Sequence, residues 1–546
     1  MRPLHTLARH FSTAANLPKI PYKHRPRALR EARQALTDYL HSTKSLPFTF
    51  ADLIARNSPS SLSDLISPLD FSSPSDFSRT LHKHLRYHPI NEFEFFFESI
   101  GINHREIDAF LPRRKFFLSE DRRCLEAACA LYGFGFSWNR LGELYREQAS
   151  IFSRTQEELS SRLCELKNGG FSSDMVIAIC FTFPRLLIAE GCEFDALFDD
   201  LKRLLLDAGL ESSVEANVDS WCKVCRTIRL FYELGFEEGS VRNSIIRCIG
   251  LFLGCPEEVL VQKVSYFSRF GVCNREVGSL FLHRPEVLGL DLETPAISVV
   301  GLLKHFGLSA AELEDVSRNY PHVLGRSRMA NLPQIMRAMN LHIWFLSRMR
   351  EGDHELLASY VMSEHDADLD KGYMESLVKI KSSRCCVHSM SKLNFLHGIG
   401  FGENALTIWV LANVHGSSSE LQERFNCLLR LGIEFWKLCR MISSCPRLLS
   451  QRPETLEQKV NFLRNEMGSS LDYLDIFPAF LCFDLENRIR PRCSFHMWLV
   501  KNGLCARSYT FASIIATSEK KYMARLYWIH PAIVKIWLEH FSCKRI

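Results

Sequence analysis

The chain has 546 residues, of which 46% are hydrophobic and 24% are charged, and its formal net charge is +5. This composition is typical of an ordered, folded protein and excludes an intrinsically disordered chain. The longest apolar runs fall far short of the roughly 20 residues that a transmembrane helix needs. The 19 cysteines are scattered through mostly apolar strings, which indicates buried thiols in a reducing compartment rather than a disulfide framework.

Charge is distributed unevenly along the chain. Residues 1–33 hold eight Lys or Arg and one acid, and residues 480–546 hold eleven Lys or Arg and four acids, so each end carries +7. The total of +5 leaves −9 for residues 34–479. The chain therefore has two basic ends and a mildly acidic body.

The first basic end has the composition of an organellar transit peptide. The string MRPLHTLARHFSTAANLPK contains Arg, His, Ser and Thr and no acid, as such leaders do. Arg9-His10-Phe11 before Ser12 resembles a mitochondrial processing site, and cleavage there would leave the basic stretch 19–33 in the mature protein. We interpret residues 1–33 as a transit peptide and basic arm that directs the protein to the mitochondrion, with the chloroplast as the alternative. A disordered basic arm that stays on the protein and binds nucleic acid is the competing interpretation.

The next segment, residues 34–84, is predicted to be loosely ordered. Residues 41–80 are rich in Ser, Pro and Asp, as in SPSSLSDLISPLDFSSPSDFS, and such clusters commonly form loops. We expect this segment to be joined to a repeat array that begins near residue 85.

From there on, the chain repeats an apolar string that ends in glycine. Gly235, Gly271 and Gly307 lie 36 residues apart and close the strings LFYELGF, YFSRFGV and LLKHFGL. Similar strings end at Gly101, Gly135, Gly170, Gly209, Gly400, Gly432, Gly468 and Gly503. Their apolar spacing is that of a helix, and glycine readily takes the left-handed conformation in which helices end. The strings therefore predict a helix C-terminus at each of these glycines.

A second anchor, usually proline, follows many of these glycines. Pro184, Pro285, Pro321 and Pro446 each lie 14 residues after a glycine, and Pro478 lies 10 residues after one. Proline is tolerated in the first turn of a helix, whereas inside a helix it costs roughly 3 kcal/mol. Each proline thus predicts the start of a short helix, which gives about three helices per unit. The predicted fold is an all-α helical-repeat solenoid over residues 85–546.

The repeat is irregular over residues 340–390. This stretch includes an acidic patch from Glu364 to Asp370. We interpret it as degenerate repeats with an exposed loop.

The strings FPRLL, RPEVL, YPHVL and CPRLLSQRPETLEQKVNFL, each followed by an apolar helix ending in glycine, resemble the mitochondrial transcription termination factor (mTERF) family over roughly residues 85–546. The string YTFASIIATSEKKYMARLYWIHPAIVKIW resembles the closing units of plant members. The resemblance implies a superhelix of three-helix units whose basic face binds double-stranded DNA or RNA in organelles, in transcription termination, other regulation or RNA processing. This chain departs from the pattern in its acidic body and in Ala149 and Ile249, which occupy expected proline positions.

Candidate nucleic-acid-binding residues are the Lys and Arg of the array, because phosphates are neutralised by these side chains. Arg185 and Arg447 follow anchor prolines, two more arginines lie just past YPHVL, and the richest region is the C-terminal end. Tyr509, Tyr522 and Tyr527 are interleaved there and are candidates for stacking on unpaired bases. The full set is Arg185, Arg326, Arg328, Arg447, Arg488, Arg490, Arg492, Lys501, Arg507, Lys520, Lys521 and Arg525. For any one of them, a solvated helix face, a helix cap or a salt bridge between repeats is the alternative.

Nothing in the sequence predicts catalysis, a metal or a cofactor. Cys222 and Cys225 form a lone CxxC, whereas a structural zinc site needs four ligands. Cys385, Cys386 and His388 would complete such a site only if folding brought them close, so buried thiols are the favoured interpretation. The phosphate-loop, nucleophile-elbow and dinucleotide-binding motifs are not found.

The sequence therefore predicts a non-catalytic, monomeric nucleic-acid-binding protein that regulates mitochondrial gene expression. Organellar DNA or RNA is the expected partner, with other mitochondrial proteins as further partners. The alternative is a helical-repeat scaffold for protein–protein interaction, which the acidic body favours and the 36-residue period allows. The recurrent prolines and the three-helix unit count against it. Binding to phosphates would weaken steeply with rising salt, and that dependence separates the two hypotheses.

Overall fold

The structure is a computed structural model that describes residues 19–69, 74–189, 191–206, 214–235, 254–292, 294, 296–352, 354–359, 371–505 and 510–541. The chain divides into two compact units, Met1–Glu257 and Glu258–Ile546. Throughout the described residues both units are built almost entirely from helices, so the all-α prediction is confirmed. No helix in these ranges is long and apolar enough to cross a membrane.

The first unit contains short α-helices joined by turns and 3₁₀-helices. Its α-helices are Arg25–Asp38, Phe48–Arg56, Pro59–Ile66, Pro74–Tyr87, Glu92–Ser99, Arg122–Phe134, Leu141–Glu147, Gln156–Asn168, Ser173–Thr182, Cys192–Leu205 and Val218–Glu233. Its 3₁₀-helices are Tyr22–His24, His104–Ala109, Leu118–Glu120, Trp138–Arg140, Ala149–Ser153 and Pro184–Leu187, and Tyr39–Thr43 is a π-helix.

The second unit has the same character. Its α-helices are Glu257–Ser268, Asn274–His283, Val299–His305, Ala310–Asn319, Leu332–Ala338, His342–Glu351, Glu355–Ser359, Lys371–Ser382, Cys386–Gly398, Ala405–Asn413, Ser418–Arg430, Phe435–Ser444, Pro453–Asn461, Asp472–Ile476, Arg490–Lys501, Phe511–Ala516, Glu519–Ile529 and Pro531–Ile536. The 3₁₀-helices are Pro285–Gly289, Met329–Asn331, Pro446–Ser450 and Pro478–Cys482, and the π-helices are Phe462–Glu466, Leu485–Ile489 and Trp537–Phe541. The strands Ala296–Ser298 and Arg326–Arg328 pair antiparallel, with Ile297 opposite Ser327.

The segment 34–84 differs from its prediction of loose order. Pro59 and Pro74 are each the first residue of a helix, where proline lacks only an N–H that would have no partner. The Glu98 carboxylate accepts hydrogen bonds of 2.7 Å from the N–H groups of Ser60 and Ser61, at the N-terminus of the helix that Pro59 begins. The Ser/Pro-rich composition therefore marks helix starts, and the described part of the segment is packed against the first repeat helix.

The basic stretch 19–33 belongs to the same folded region. It runs into the helix Arg25–Asp38, which buries Ala28, Ala32 and Leu36 and contacts the helices Phe48–Arg56 and Pro74–Tyr87. The helix begins at Arg25, downstream of the proposed processing site at Ser12. Residues 1–18, which hold the leader string, lie outside the described residues.

The predicted glycines do end helices. All of them that lie in the described residues have a positive φ, between 63° and 126°, whereas Gly209 lies outside these residues. At Gly101 a side chain is also excluded by space, because a Cβ atom would lie 2.0 Å from the carbonyl oxygen of Asn139. Asn340, with φ 56°, ends the helix Leu332–Ala338 in the same way, since asparagine tolerates this conformation better than most residues. At the start of the stretch 340–390, an asparagine therefore ends a repeat helix where other repeats have a glycine.

Four of the five predicted prolines begin short 3₁₀-helices with one shared backbone geometry, whereas Pro321 begins a turn that is not a helix. The residue before Pro184, Pro285, Pro446 or Pro478 has ψ between 64° and 72°. Its carbonyl oxygen accepts a hydrogen bond of 3.0–3.2 Å from the N–H three residues later. Ala149 begins the same kind of turn, with ψ 79° at Gln148 and a matching bond of 3.2 Å. Ile249 lies outside the described residues.

Two apolar side chains after each of these prolines anchor the turn. Leu186 and Leu187 are buried in the first unit, and Leu448 and Leu449 are buried in the second. At about 1.5–3 kcal/mol for each fully buried large apolar side chain, the pair stabilises the turn more than the single hydrogen bond does. The predicted repeat of helix, proline turn and second helix is therefore present in both units.

Candidate nucleic-acid interface

The C-terminal helices share one apolar core, which fixes where their basic residues point. Phe495, Leu499, Tyr522, Leu526 and Trp537 are buried together in this core. Tyr522 is only 2% exposed, so the prediction that it stacks on bases is wrong. Its ring belongs to the interior of the protein.

Arg492 is also interior, and this corrects its prediction as a phosphate-binding residue. The residue is 2% exposed, and its guanidinium lies over the Tyr522 ring, 4.4 Å from the ring centroid. It donates hydrogen bonds to the carbonyl oxygens of Ile514 (2.9 Å) and Thr517 (2.5 Å), and to the Glu519 carboxylate (2.5 Å). These groups satisfy the charge within the fold and leave it no access to a phosphate.

Arg488 is half-buried and binds carbonyl groups at the C-terminal end of the helix Phe511–Ala516. Its guanidinium donates to the carbonyl oxygens of Ile515 (2.8 Å) and Thr517 (2.9 Å) and lies over the ring of Phe483. Burial, and then the nearby charge of Arg492, lower the pKa of Arg488. The last carbonyl groups of a helix have no partner within the helix, and here the two arginines supply one for the helix Phe511–Ala516.

Arg490 has acidic partners instead. Its Nη1 atom donates hydrogen bonds to both carboxylate oxygens of Glu466, at 2.7 and 2.5 Å. Its Nε atom lies 3.3 Å from a carboxylate oxygen of Glu486. The hydrogen bonds from Arg490 to Glu466 raise the pKa of Arg490. A phosphate at this position would have to displace a carboxylate, so Arg490 is a weak candidate for binding one.

The helix Glu519–Ile529 presents a different set of residues to solvent. Lys520 and Lys521 are exposed, and in the described residues neither ammonium group has a hydrogen-bond or ion-pair partner. Tyr527 is 62% exposed and Trp528 is 88% exposed. Lys521 and Trp528 are seven residues apart, which is almost two helical turns, so they lie on one side of the helix about 10 Å apart.

Trp528 is not among the residues that the sequence motifs predict, although the helical spacing contains the signal. Tyr522 and Leu526 are buried, and Trp528 lies roughly 120–160° around the helix from them at 100° per residue. A large exposed aromatic ring beside unpaired lysines is the combination that binds unpaired bases and their phosphates.

The remaining C-terminal candidates are less well defined. Lys501 is exposed at the end of the helix Arg490–Lys501. Arg525 is half-buried and close enough to His496 to lower the pKa of that histidine, although burial is the larger cause. Arg507 and Tyr509 lie outside the described residues.

In the first unit, Arg185 is exposed at the edge of an open groove of about 930 Å³. Arg229 lines the same groove but pairs with Glu147 (3.7 Å) and Glu233 (3.2 Å). Among the described residues of this groove, Arg185 is the basic side chain that has no acidic partner. The carboxylates of Glu147 and Glu233 line the same groove. This balance makes it a weak site for a polyanion.

Arg447 occupies in the second unit the position that Arg185 occupies in the first. Each directly follows the proline of its turn and is exposed. The same position holds Glu286 after Pro285 and a buried His322 after Pro321. The turn thus directs this side chain outward in several repeats, but the sequence places arginine there in only some of the described turns.

Arg326 and Arg328 lie in the short strand Arg326–Arg328 rather than on a helix. Arg326 is half-buried and Arg328 is exposed. Both charges act on Glu403, whose pKa is raised by burial and lowered in turn by the two arginines. These arginines are therefore partly neutralised by a neighbouring acid.

The cysteines of the CxxC string are buried side by side in the helix Val218–Glu233. Cys222 is 4% exposed and Cys225 is 0% exposed, and burial raises the pKa of both thiols. Cys385 and His388 are exposed in the second unit. No group of three or more potential metal ligands occurs among the described residues.

Comparison with known proteins decides the family. The mTERF family model matches residues 211–342 and 389–523. The mitochondrial transcription termination factor MTEF18 of Arabidopsis thaliana is 49% identical over 544 residues, which cover 99% of this chain and 97% of that protein. The chain belongs to the mTERF family. The resemblance inferred from the proline and glycine strings is therefore confirmed.

Other mTERF proteins are more distant and come from two organelles. The chloroplastic transcription termination factor MTERF8 of Arabidopsis thaliana is 32% identical over 392 residues, covering 66% of this chain and 75% of that protein. The mitochondrial transcription termination factor MTERF15 of the same plant is 19% identical over 310 residues, covering 57% and 56%. The two segments that the mTERF model matches flank residues 343–388, which lie within the stretch interpreted above as degenerate.

Proposed function

We propose that the protein binds nucleic acid in mitochondria and regulates gene expression there without catalysing a reaction. The full-length relative at 49% identity is named a mitochondrial transcription termination factor. The Arg-, Ser- and Thr-containing leader without acids supports import into an organelle. The chloroplast is the alternative location, because several relatives carry chloroplastic names.

The observation that carries this proposal is the exposed face of the helix Glu519–Ile529. Lys520 and Lys521 provide two ammonium groups without partners among the described residues, and Tyr527 and Trp528 provide exposed rings on the same helix. The lysines would neutralise phosphates, and the rings would stack on bases at about 1–3 kcal/mol each. This helix face is the proposed binding surface.

Lys501, Arg185 and Arg447 are proposed as additional phosphate contacts, because all three are exposed without a hydrogen-bond or ion-pair partner in the described part of the chain. Arg488 and Arg492 are excluded from the proposed surface since the fold uses their guanidinium groups. The protein would act as a monomer that blocks, recruits or protects at its site.

The experiment is crosslinking of the tagged protein in isolated mitochondria, with bound DNA and RNA sequenced in parallel. The test variant is Lys520→Ala/Lys521→Ala/Trp528→Ala. The matched control is Lys379→Ala/Lys381→Ala/Val378→Ala, which removes two exposed lysines and an exposed apolar side chain from the helix Lys371–Ser382.

Enrichment at discrete organellar sites that the test variant loses and the control keeps would support the proposal and choose between DNA and RNA. Equal recovery of nucleic acid with the wild type and the test variant would overturn the proposed surface. Recovery of proteins alone would favour the scaffold function, and a tagged protein found in chloroplasts would correct the location.

A further inference from the structure

Two cysteines from successive proline turns face each other in the second unit. Cys445 directly precedes Pro446, and Cys482 ends the turn Pro478–Cys482. Their sulfur atoms are 3.5 Å apart, and both residues are partly exposed. A disulfide bond is about 2.05 Å long, so the sulfur atoms need to approach by about 1.5 Å.

The surroundings of the pair are positively charged. The buried Lys459 ammonium donates a hydrogen bond of 2.8 Å to the carbonyl oxygen of Leu481, next to Cys482 in the chain. Arg447 follows Cys445 by two residues, and its charge acts on both thiols. Reactive cysteines are found in partly exposed, electropositive surroundings of this kind.

The hydrogen bond between the two sulfur atoms makes them unequal. A hydrogen bond from the Cys482 thiol lowers the pKa of Cys445, burial opposes this shift, and the Leu448 N–H and the charge of Arg447 add to it. The same bond and burial raise the pKa of Cys482. Cys445 is therefore the better-placed nucleophile of the pair, while the geometry allows either sulfur to donate the hydrogen bond between them.

Two other cysteines of the unit, Cys439 and Cys273, differ from this pair in the part of the chain that the structure describes. Cys439 is 0% exposed, and its thiol lies 3.5 Å from the carbonyl oxygen of Ile399, to which it donates a hydrogen bond. Burial raises its pKa. Cys273 is exposed, and no sulfur partner for it occurs among the described residues. A buried thiol and an isolated exposed thiol thus serve as internal comparisons.

We propose that Cys445 and Cys482 are an oxidation site at which hydrogen peroxide forms a reversible disulfide between two successive proline turns. The Cys445 thiolate attacks one oxygen of the peroxide, forming an S–O bond as the O–O bond breaks. The departing hydroxide takes up the proton that Cys445 released on ionising and becomes water. The Cys482 sulfur then attacks the sulfur of the sulfenic acid, forming the S–S bond. The hydroxyl group leaves with the proton of Cys482 as a second water. Two thiols are oxidised to one disulfide, and one peroxide is reduced to two waters.

The test is peptide mapping of the purified full-length protein after treatment with hydrogen peroxide and blocking of the remaining thiols with N-ethylmaleimide. Trypsin cleavage after arginine yields the peptides 441–447 and 465–488, which contain Cys445 and Cys482 respectively as their single cysteine. We expect these two peptides to appear as one linked species, with the loss of two hydrogen atoms, and to separate again after dithiothreitol.

Serine variants show which of the two cysteines reacts with the peroxide first. Cys445→Ser and Cys482→Ser should each abolish the linked species, and in Cys482→Ser the sulfenic acid of Cys445 should be captured by dimedone. Cys273→Ser should leave the linkage unchanged. If the serine variants do not fold, as judged by circular dichroism, the linkage in the wild type and its reversal by dithiothreitol decide the question.

The proposal is overturned if both peptides remain separately alkylated at a peroxide concentration that oxidises Cys273. It is also overturned if Cys445 proceeds to a sulfinic acid without forming the link. The test is independent of nucleic-acid binding, so it stands apart from the proposed function.

Discussion

The guanidinium group of Arg492 donates a hydrogen bond of 2.9 Å to the carbonyl oxygen of Ile514, near the C-terminal end of the helix Phe511–Ala516. Arg488 donates to the next two carbonyl groups. A positive charge is favourable at this end of a helix, where the backbone dipoles leave a partial negative charge. Two arginines of the C-terminal basic end therefore hold the C-terminal helices together.

Replacing Arg492 should destabilise the second unit. Arg492→Ala removes a buried side chain and leaves the carbonyl oxygen of Ile514 and the Glu519 carboxylate without this donor, while Ile515 and Thr517 keep only their bonds from Arg488. We expect the free energy of unfolding to fall by about 3 kcal/mol. Urea unfolding followed by circular dichroism measures this change. The exposed Lys521→Ala is the control and should stay within about 0.5 kcal/mol of the wild type. Equal effects of the two substitutions would contradict the structural role of Arg492.

Replacing the exposed lysines should change the salt dependence of nucleic-acid binding. If the proposed surface is correct, Lys521→Gln should reduce the slope of log affinity against log salt by about 1. Trp528→Ala should weaken single-strand binding by about 1–3 kcal/mol without changing the slope. Fluorescence anisotropy across a salt series measures both effects, with Lys379→Gln as the control. An unchanged slope in Lys521→Gln would remove this residue from the surface.

Two glycines of the first unit should respond to alanine in opposite directions. Gly101 has φ 102°, and a Cβ atom would lie 2.0 Å from the carbonyl oxygen of Asn139, so Gly101→Ala should cost about 3 kcal/mol. Gly133 lies in the helix Arg122–Phe134, and among the described residues no atom outside that helix lies within 4 Å of the place a Cβ atom would take. Gly133→Ala should stabilise by about 0.5–1 kcal/mol. Thermal unfolding of the two variants checks the signs.

The turn at Ala149 should accept the proline that its neighbours carry. Gln148 already has the ψ of a residue that precedes proline, so Ala149→Pro should be neutral or stabilise by up to about 1 kcal/mol. Ala127→Pro, in the middle of the helix Arg122–Phe134, is the comparison and should cost about 3 kcal/mol or more. Equilibrium unfolding separates the two, and a large loss in Ala149→Pro would disprove the shared geometry.

Acid should destabilise the second unit through His322. His322 is 3% exposed, and its imidazole packs against the Phe401 ring. Burial lowers the pKa of His322 to about 4. The unfolded chain takes up the proton near pH 6.5, so the folded state loses stability as the pH falls from there towards 4. At pH 5 the loss from this group is about 2 kcal/mol. Comparing unfolding at pH 7 and pH 5 with that of His322→Phe, which cannot titrate, isolates this contribution.

The sequence predicts the local features of the repeat well. Gly271 and Gly432 end helices with a positive φ, and Pro446 and Pro478 begin short turns, as their strings indicate. These features depend on the conformations that one residue and its neighbours can adopt, so they can be derived from a short window of sequence.

The burial of individual charges could not be derived in this way. In ENRIRPRCSF three alternating arginines look equivalent, yet Arg490 pairs with Glu466 while Arg492 enters the core. The difference arises because residues 514–519 return to Arg492 from more than 20 positions away. A contact between distant segments leaves no mark on local periodicity, and the same reason hides the approach of Cys445 to Cys482.

The turn at Ala149 shows which part of the repeat motif is dispensable. Its backbone hydrogen bond and its buried pair, Ile151 and Phe152, match those of the proline-containing turns. Both this turn and the one at Pro184 lie outside the segments that the family model matches. A repeat of this kind can therefore lose its proline and keep the backbone geometry of its turn. Counting prolines underestimates how many such turns a chain contains, whereas a search for the two apolar residues behind each turn would recover them.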